Sequence, residues 1–302
     1  FNLRWIGDYN EEDSSAGTRV LYNTGPTING VNLYQARANT AGATLVDGTH
    51  RKVNLNNDQH VTVHQGGTSV EANWTLPSDF TLTSISSYRW WNFTPRNDDG
   101  LNVAATYNAG VSVEDKQYSQ EFRLASPTGG FFDYVLGAYY FGNNLDNKSF
   151  AYYGPQADIW NGTPAGPLAN IDSVGRGHIK TDSFALFAQG TWHLTERLDF
   201  TAGVRGTYEE KNAWVNRDAP VGGAAVTGAA ATVRRGRAGV YDSGDLNQYS
   251  SSPSGLLNLS YHFTDNLLGY ATVSHGEKSG GVNLAVGTAP VAGADSLLIG
   301  TE

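Results

Sequence analysis

The chain has 302 residues, of which 39% are hydrophobic, and it contains no run of about eighteen apolar residues, so a transmembrane helix is excluded. The formal net charge of −9 argues against a nucleic-acid partner. Because there is no cysteine, disulfides, Cys-based zinc sites and thiol nucleophiles are excluded together.

The predicted elements begin with a strand at residues 1–8. The chain opens with FNLRWIGDY (residues 1–9), which lacks the charged start and apolar core of a signal peptide, so a mature or partial chain is expected. Four hairpins follow, each with two long strands about a short turn, and the turns are predicted at 77–79, 126–130, 195–197 and 264–266. Long polar connections rich in turn formers separate them, at residues 9–58, 95–114, 146–179 and 213–248. The sequence therefore predicts nine strands, with all four turns on one edge.

The hairpin from Phe184 to Glu210 shows strict alternation. The even-numbered positions of its two strands, 184–194 and 198–208, carry no charged residue. Pairing about the turn matches Trp192 with Phe200 and Phe184 with Tyr208, which places aromatic residues at both ends of an apolar band. Eight residues separate these ends, which corresponds to a height of roughly 19 Å at a 45° tilt. The pattern predicts a lipid-facing set comprising Leu186, Ala188, Trp192, Phe200, Ala202, Val204 and Leu259.

The strand after SPTGG has a less distinct pattern. Its outward set is assigned to Phe132, Tyr134, Leu136, Ala138 and Tyr140, although the other face is equally apolar. Compact soluble domains rarely contain several structureless loops longer than about 15 residues, whereas outer-membrane barrels combine short turns with long loops. An open sheet in lipid would leave unpaired backbone groups, so the prediction is an all-β, transmembrane, antiparallel up-and-down β-barrel of which residues 1–302 are a part.

Four segments resemble barrel segments of the TonB-dependent outer-membrane receptors, in the order that the family has them. They are LTSISSYR (82–89), YSQEFRLASPTGGFFDYVLGAYYFGNN (118–144), FALFAQGTWHLTERLDFTAGVR (184–205) and LLGYATVSHGEKSGGVN (267–283). The resemblance covers about two thirds of the chain. It implies a barrel of roughly 22 strands filled by an N-terminal plug, and neither the plug nor the barrel-closing C-terminal strands are recognisable in this sequence.

The resemblance also implies a location and partners. The expected location is the outer membrane of a Gram-negative bacterium, in contact with its lipid and with the TonB complex through an N-terminal region outside this chain. The implied function is active import of a scarce, large solute, with a ferric siderophore or similar metal chelate as the first expectation. The alternatives are a passive porin, a surface adhesion barrel and a soluble carbohydrate-binding β-sandwich.

Two groups of residues are candidates for function. Glu121 and Arg123, which match the family's Glu-x-Arg, and Arg205 and Glu209 are predicted to face the lumen. They would contact the plug or the substrate path, or would simply form a wet wall because lipid excludes charge from the other face.

Tyr152, Tyr153 and Trp160 are predicted in a long external loop, where exposed aromatic residues bind ligands or pack within the loop. No Ser/His/Asp arrangement occurs in a context suited to catalysis, so an enzyme is not expected. No cofactor or metal site is expected either.

Overall fold

A single antiparallel sheet dominates the computed structural model, which describes residues 1–15, 21–46, 52–55, 59–97, 106–284 and 297–299. The strands in chain order are β1 (Asn2–Ser14), β2 (His60–Thr75), β3 (Thr81–Asn97), β4 (Thr106–Ala125), β5 (Phe132–Tyr153), β6 (Ile171–Thr195), β7 (Leu198–Arg217), β8 (Val221–Gly222), β9 (Tyr241–Asp242), β10 (Leu246–Thr264), β11 (Leu267–His275), β12 (Gly281–Val282) and β13 (Leu298–Ile299).

Nine long strands form the main path of this sheet, in the order β1-β2-β3-β4-β5-β6-β7-β10-β11, which confirms the predicted strand count and the up-and-down order. The two-residue strands β8 and β9 pair with β6 and β7, and β12 pairs with β13 in a separate small sheet. Among the described residues, β1 and β11 are the two edges of the path and do not pair with each other. The sheet is therefore an open part of a barrel.

The four predicted turns join β2 to β3, β4 to β5, β6 to β7 and β10 to β11. Because every neighbouring pair on the path is antiparallel, these turns all lie on one edge, as predicted. In the third and fourth turns the hydroxyls of Thr195 and Thr264 accept hydrogen bonds from backbone N–H groups two residues later, at 3.2 and 3.3 Å. This edge is called the turn edge, and the opposite one the loop edge.

The connections at the loop edge are shorter than predicted, because the strands continue well beyond their apolar sections. β1 extends to Ser14 rather than residue 8, β5 to Tyr153 and β7 to Arg217, and β6 begins at Ile171. The connections are also not structureless, since they contain the helices α1 (Leu33–Thr40), α2 (Ala157–Asn161) and α3 (Gly228–Ala238). The prediction failed here because strand sections with water on both faces show no apolar alternation.

The register confirms the predicted parity of the strands. Trp192 pairs with Phe200, and Phe184 pairs with Tyr208. The uncertain strand β5 follows the same rule, because Phe132 pairs with Trp192 and therefore belongs to the outward set, as assigned. One face of the sheet thus collects the predicted lipid-facing residues of β6, β7 and β10 together with the outward set of β5. It is called the outer face, and the opposite one the inner face.

Fully buried apolar residues lie mainly at the loop edge rather than in the sheet. One cluster joins α2, the start of β6 and α3 through Ala157, Leu168, Ile171 and Ala238. A second cluster packs the loop-edge ends of β7 and β10 against Val282 and Leu297. These clusters hold the connections to the strands. No helix among the described residues is long and apolar enough to cross a membrane.

Candidate functional site

The outer face exposes large apolar side chains that a water-soluble protein would bury. Leu186 is 71% exposed, Val204 is 66% exposed, and Leu257 and Val273 are exposed beside them. A contiguous exposed surface of this kind marks contact with a membrane or with another protein. A depression of about 700 Å³ lies on this face between Phe122, Leu186 and Tyr208. Since lipid chains cover such a surface, this depression is not taken as the functional site.

Two belts of aromatic rings border the apolar band. Near the turn edge, Trp192 contacts Phe132 and Phe200 with ring centroids 4.6 and 5.7 Å apart. Toward the loop edge, Tyr140 contacts Phe184 at 4.7 Å, and its hydroxyl donates to the Asp182 carboxylate at 2.7 Å. Belts of aromatic rings between an apolar band and the polar surface beyond it are typical of the two interfaces of an outer-membrane barrel.

The four charged residues predicted to face the lumen all lie on one part of the inner face. Arg123 pairs across the sheet with Gly137, Gly137 with Phe187, and Phe187 with Arg205, so Arg123 and Arg205 share one cross-strand row. The rows of Glu121 and Glu209 both lie on the loop-edge side of this row, two residues along β4 and four residues along β7 respectively. Three strand spacings separate β4 from β7, which is about 14 Å. The sequence predicted the facing, and the register brings the residues together.

Arg205 lies against two aromatic rings on this wall. Its guanidinium carbon is 5.4 Å from the ring centre of Tyr139 and 5.8 Å from that of Phe187, which is within the range of cation–π attraction. Its Nε donates to the Thr207 hydroxyl at 3.1 Å. The ring of Phe187 in turn lies over Gly137, where a β-carbon would collide with it. The two rings and the Thr207 hydroxyl thereby hold the Arg205 side chain against the inner face of the sheet.

Each of the predicted carboxylates has a cationic partner. Glu121 forms an ion pair with Arg123 two residues along the same strand. Glu209 pairs with Lys211, whose Nζ also donates to the Ser279 hydroxyl at 2.8 Å and to the Gly280 carbonyl at 2.7 Å. The HGEKSGG segment after β11 therefore folds onto the inner wall. Sequence parity gave the facing of Glu209, but a contact between segments about seventy residues apart had no local signal.

Two further inner-face groups were not singled out from the sequence. Arg89 on β3 reaches across Gly67 of β2 and makes a bidentate pair with Asp8 of β1, at 2.8 and 2.9 Å. At the turn edge, the two ring nitrogens of His193 lie 2.7 Å from an Asp199 oxygen and 3.1 Å from an Asp133 oxygen. Both nitrogens can donate at once only if the imidazole is protonated. These groups each link three consecutive strands.

The aromatic candidates for ligand binding occupy different elements from those predicted. Tyr152 and Tyr153 end β5 rather than lying in a loop, and Tyr152 stacks on Phe150 at 5.5 Å. Trp160 lies on α2, where its ring meets Tyr34 of α1 edge-on at 5.0 Å. The location in a long loop was wrong for the two tyrosines, because β5 continues beyond the apolar band. Their role in binding stays a prediction.

A buried carboxylate organises the connection between β5 and β6. Asp158 on α2 is 6% exposed and accepts hydrogen bonds from the backbone N–H groups of Gly166 at 2.8 Å, Leu168 at 2.9 Å and Ala169 at 3.1 Å. The Thr163 hydroxyl donates to it as well, at 2.8 Å. Sequence reasoning missed this residue, because an Asp in a polar loop is ordinarily a turn former.

The described part of the chain contains no group of three or more His, Asp or Glu residues that could hold a metal ion.

One antiparallel sheet with an exposed apolar outer face, two aromatic belts and a charged inner face defines an outer-membrane β-barrel protein. A family model described as TonB dependent receptor-like, beta-barrel, matches residues 4–298, so the chain belongs to that family. The protein is accordingly an outer-membrane protein. Members of the family are receptors and transporters.

The fold is also similar to solved receptor structures. The ferric yersiniabactin uptake receptor FyuA from Yersinia pestis matches with a TM-score of 0.57 and 19% identity, over 76% of this chain and 30% of FyuA. The open form of the ferric-catecholate import receptor Fiu from E. coli K12 matches with a TM-score of 0.48 and 13% identity, over 72% of this chain and 36% of Fiu. The chain thus spans about a third of the length of these receptors. No curated protein sequence matches it.

Proposed function

We propose that this chain is the central part of the barrel of a TonB-dependent importer, which moves a large solute through its lumen with work supplied through TonB. The observation that carries the proposal is the contrast between the two faces of the sheet. The outer face is apolar and exposed, whereas the inner face presents ion pairs and Arg205 at the level of the membrane. Together with family membership, this contrast supports a polar transport path inside a lipid-embedded wall.

The complete protein, in this proposal, has roughly 22 strands and an N-terminal plug in the lumen. The sheet edges at β1 and β11 then pair with further strands. Each backbone N–H or C=O group left unpaired at membrane depth would otherwise cost roughly several kcal/mol. Glu121, Arg123, Arg205 and Glu209 contact the plug or the solute path. The short turns face the periplasm, and the helical connections face the outside.

A ferric siderophore or similar chelate is the first ligand class to test. FyuA, the solved structure that supports the fold, is named for the uptake of ferric yersiniabactin. Neither a cofactor nor an enzymatic activity forms part of the proposal. A soluble β-sandwich would need two large facing sheets, whereas the described residues form one eleven-stranded sheet and one two-stranded sheet.

The experiment compares cells that express the complete gene with and without a functional TonB. Cells starved of iron receive a panel of ferric siderophores labelled with radioactive iron, and the accumulated label is measured. We expect at least one complex to accumulate only when both the receptor and TonB are present. Accumulation that needs the receptor but not TonB would reject the importer and support the passive porin.

A further inference from the structure

The inner face carries a cluster of titratable side chains at the turn edge, which the proposed function does not use. His193 on β6 lies between two carboxylates, Asp199 on β7 and Asp133 on β5. Its Nδ1 is 2.7 Å from an Asp199 oxygen, and its Nε2 is 3.1 Å from an Asp133 oxygen. One imidazole ring therefore joins three consecutive strands through two side-chain hydrogen bonds.

These two contacts need a proton on each ring nitrogen of His193. An ionised carboxylate only accepts hydrogen bonds, and a neutral imidazole has one N–H donor. A neutral ring that donates to Asp199 would turn a bare nitrogen toward the oxygen of Asp133, with no proton between them. The cluster is thus complete only with an imidazolium, and both of its hydrogen bonds are then charge-assisted.

The cluster lies where the pairing of the three strands ends. The ladder between β5 and β6 ends at the pair of Phe132 with Trp192, and the register of β6 and β7 shifts between His193 and Thr195. His193 is one residue beyond Trp192 of the aromatic belt, and its side chain is 36% exposed. The ring is therefore outside the membrane-spanning band and can exchange its proton with water.

No other charge engages the ring in the described structure. Its inner-face neighbours toward the membrane are Thr191 and Thr201, whose hydroxyls are 2.9 Å apart. Beyond Asp199 the next residue across the sheet is Ser260 of β10. Several titratable or charged side chains of the adjoining turns and strands make no described hydrogen bond or ion pair with the cluster, namely Glu196 and Arg197 in one turn, Asp265 in another, His262 on β10, Tyr270 on β11 and Arg123 on β4.

The two carboxylates stabilise the charged form of the ring. Hydrogen bonding to Asp133, and then to Asp199, raises the pKa of His193 above its ordinary value. A proton held more tightly in the folded state stabilises the fold below the unfolded pKa, and this contribution is lost as the pH rises through the folded pKa. Asp133 depends on the ring as well, because its Oδ1 is buried and has no hydrogen-bond partner among the described residues.

We infer that Asp133, His193 and Asp199 form a proton-dependent clamp at the turn edge of the barrel wall. While the ring is protonated, the clamp holds the ends of β5, β6 and β7 together. When the proton leaves, one of the two hydrogen bonds is lost, and the strand ends open more readily because the ladders stop there. The inference concerns the wall itself and does not depend on the solute that the barrel transports.

Hydrogen exchange of the complete receptor in lipid vesicles, followed by mass spectrometry, tests the clamp. The protection of the backbone amides in 130–135 and 190–201 is measured from pH 6 to pH 9 and corrected for the intrinsic pH dependence of exchange. The variants are His193→Gln, which cannot carry a charge, and Asp199→Asn, which removes one of the two anions. The matched control is His262→Gln, because His262 is exposed at the same edge and its side chain makes no described contact with a carboxylate.

We expect the protection of these amides in the wild type to fall by at least about tenfold between pH 6 and pH 9, with a midpoint above the ordinary imidazole value of about 6.5. His262→Gln should behave as the wild type does. His193→Gln should show low protection at both pH values. Asp199→Asn should lower the midpoint, since one of the two groups that hold the proton has lost its charge.

Three results would overturn the inference. They are equal protection of the wild type at both pH values, the same fall with pH in His193→Gln as in the wild type, and a fall of equal size throughout the sheet. Should His193→Gln fail to fold, Asp199→Asn decides, because a midpoint unchanged from that of the wild type would contradict the clamp as well.

Discussion

Leu186 and Gln189 lie three residues apart on β6, but their side chains belong to opposite faces. Leu186 is exposed on the outer face among apolar neighbours, and Gln189 is exposed on the inner face. We predict that Leu186→Arg, like Val204→Arg, lowers the free energy of unfolding in lipid by about 2–4 kcal/mol, because an arginine near mid-membrane loses its hydration. Gln189→Arg should cost much less.

Reversible denaturant unfolding in lipid vesicles measures both changes. Equal losses for Leu186→Arg and Gln189→Arg would show that the two faces are assigned wrongly.

Gly137 provides a second prediction for single residues. An alanine β-carbon there would occupy the position of the Phe187 ring, which also supports Arg205. We predict that Gly137→Ala lowers stability by about 1–3 kcal/mol through this overpacking. The matched control is Gly206→Ala on the outer face, because no atom lies within 4 Å of the added carbon. A Gly137→Ala protein as stable as the Gly206→Ala control would contradict the packing of Phe187 on Gly137.

For single residues, the sequence predicts which face a side chain occupies better than it predicts the residue with which that side chain pairs. Parity alone placed Glu121, Arg123, Arg205 and Glu209 on the same face, since a strand has only two sides. The ion pair between Glu121 and Arg123 also follows, because residues two apart are neighbours on one face. The link from Lys211 to Ser279 and the pair between Asp8 and Arg89 depend on which strands are adjacent, which no local pattern encodes.

Among the elements, the connection between β5 and β6 owes its order to one carboxylate. The Asp158 carboxylate accepts hydrogen bonds from three backbone N–H groups and one hydroxyl, and its removal would take this acceptor away from the three N–H groups. We predict that Asp158→Ala destabilises the local structure by about 2–5 kcal/mol, since each buried unsatisfied donor costs about 1–3 kcal/mol. The surrounding barrel should remain folded, because its hydrogen bonds lie within the sheet.

Limited proteolysis of the receptor in intact cells checks this prediction. Cleavage between 157 and 170 should become faster in Asp158→Ala but stay unchanged in Asp172→Ala, whose side chain is exposed. If the protease does not distinguish Asp158→Ala from the wild type, Asp158 does not order the connection.

The elements that the sequence predicts well are those inside the membrane. There the apolar outer face alternates with a polar inner face, and the short turns contain residues with known turn preferences. Beyond the aromatic belts both faces meet water, so the alternation disappears and β5, β6 and β7 were predicted too short. The helix α3 was read as part of a loop because its Ala- and Gly-rich sequence has little apolar periodicity.

For the whole molecule, the two faces of the sheet have different solvents. Lipid on one side explains the exposed leucines and valines, and a polar lumen on the other explains ion pairs that a soluble sandwich would not bury. The family model that matches residues 4–298 supports the same arrangement from the sequence alone. This alternation reports the two solvents of the wall and not what passes along it, so the sequence pattern contains no direct sign of a ligand.

Spin-label accessibility along the hairpin of β6 and β7 tests this two-solvent arrangement most directly. The chain has no cysteine, so single cysteines can be introduced at each position from 184 to 194 and from 198 to 208 without removing any in this chain. Each is labelled with a nitroxide in the complete receptor in lipid vesicles, and collisions with oxygen and with a water-soluble nickel chelate are compared. We predict a period of two residues, with even-numbered positions such as 186, 188, 202 and 204 accessible to oxygen and shielded from nickel, and odd-numbered positions not. Equal oxygen accessibility at both parities, or greater nickel accessibility at the even positions, would contradict a lipid-facing outer surface and with it the barrel wall on which the proposed transport depends.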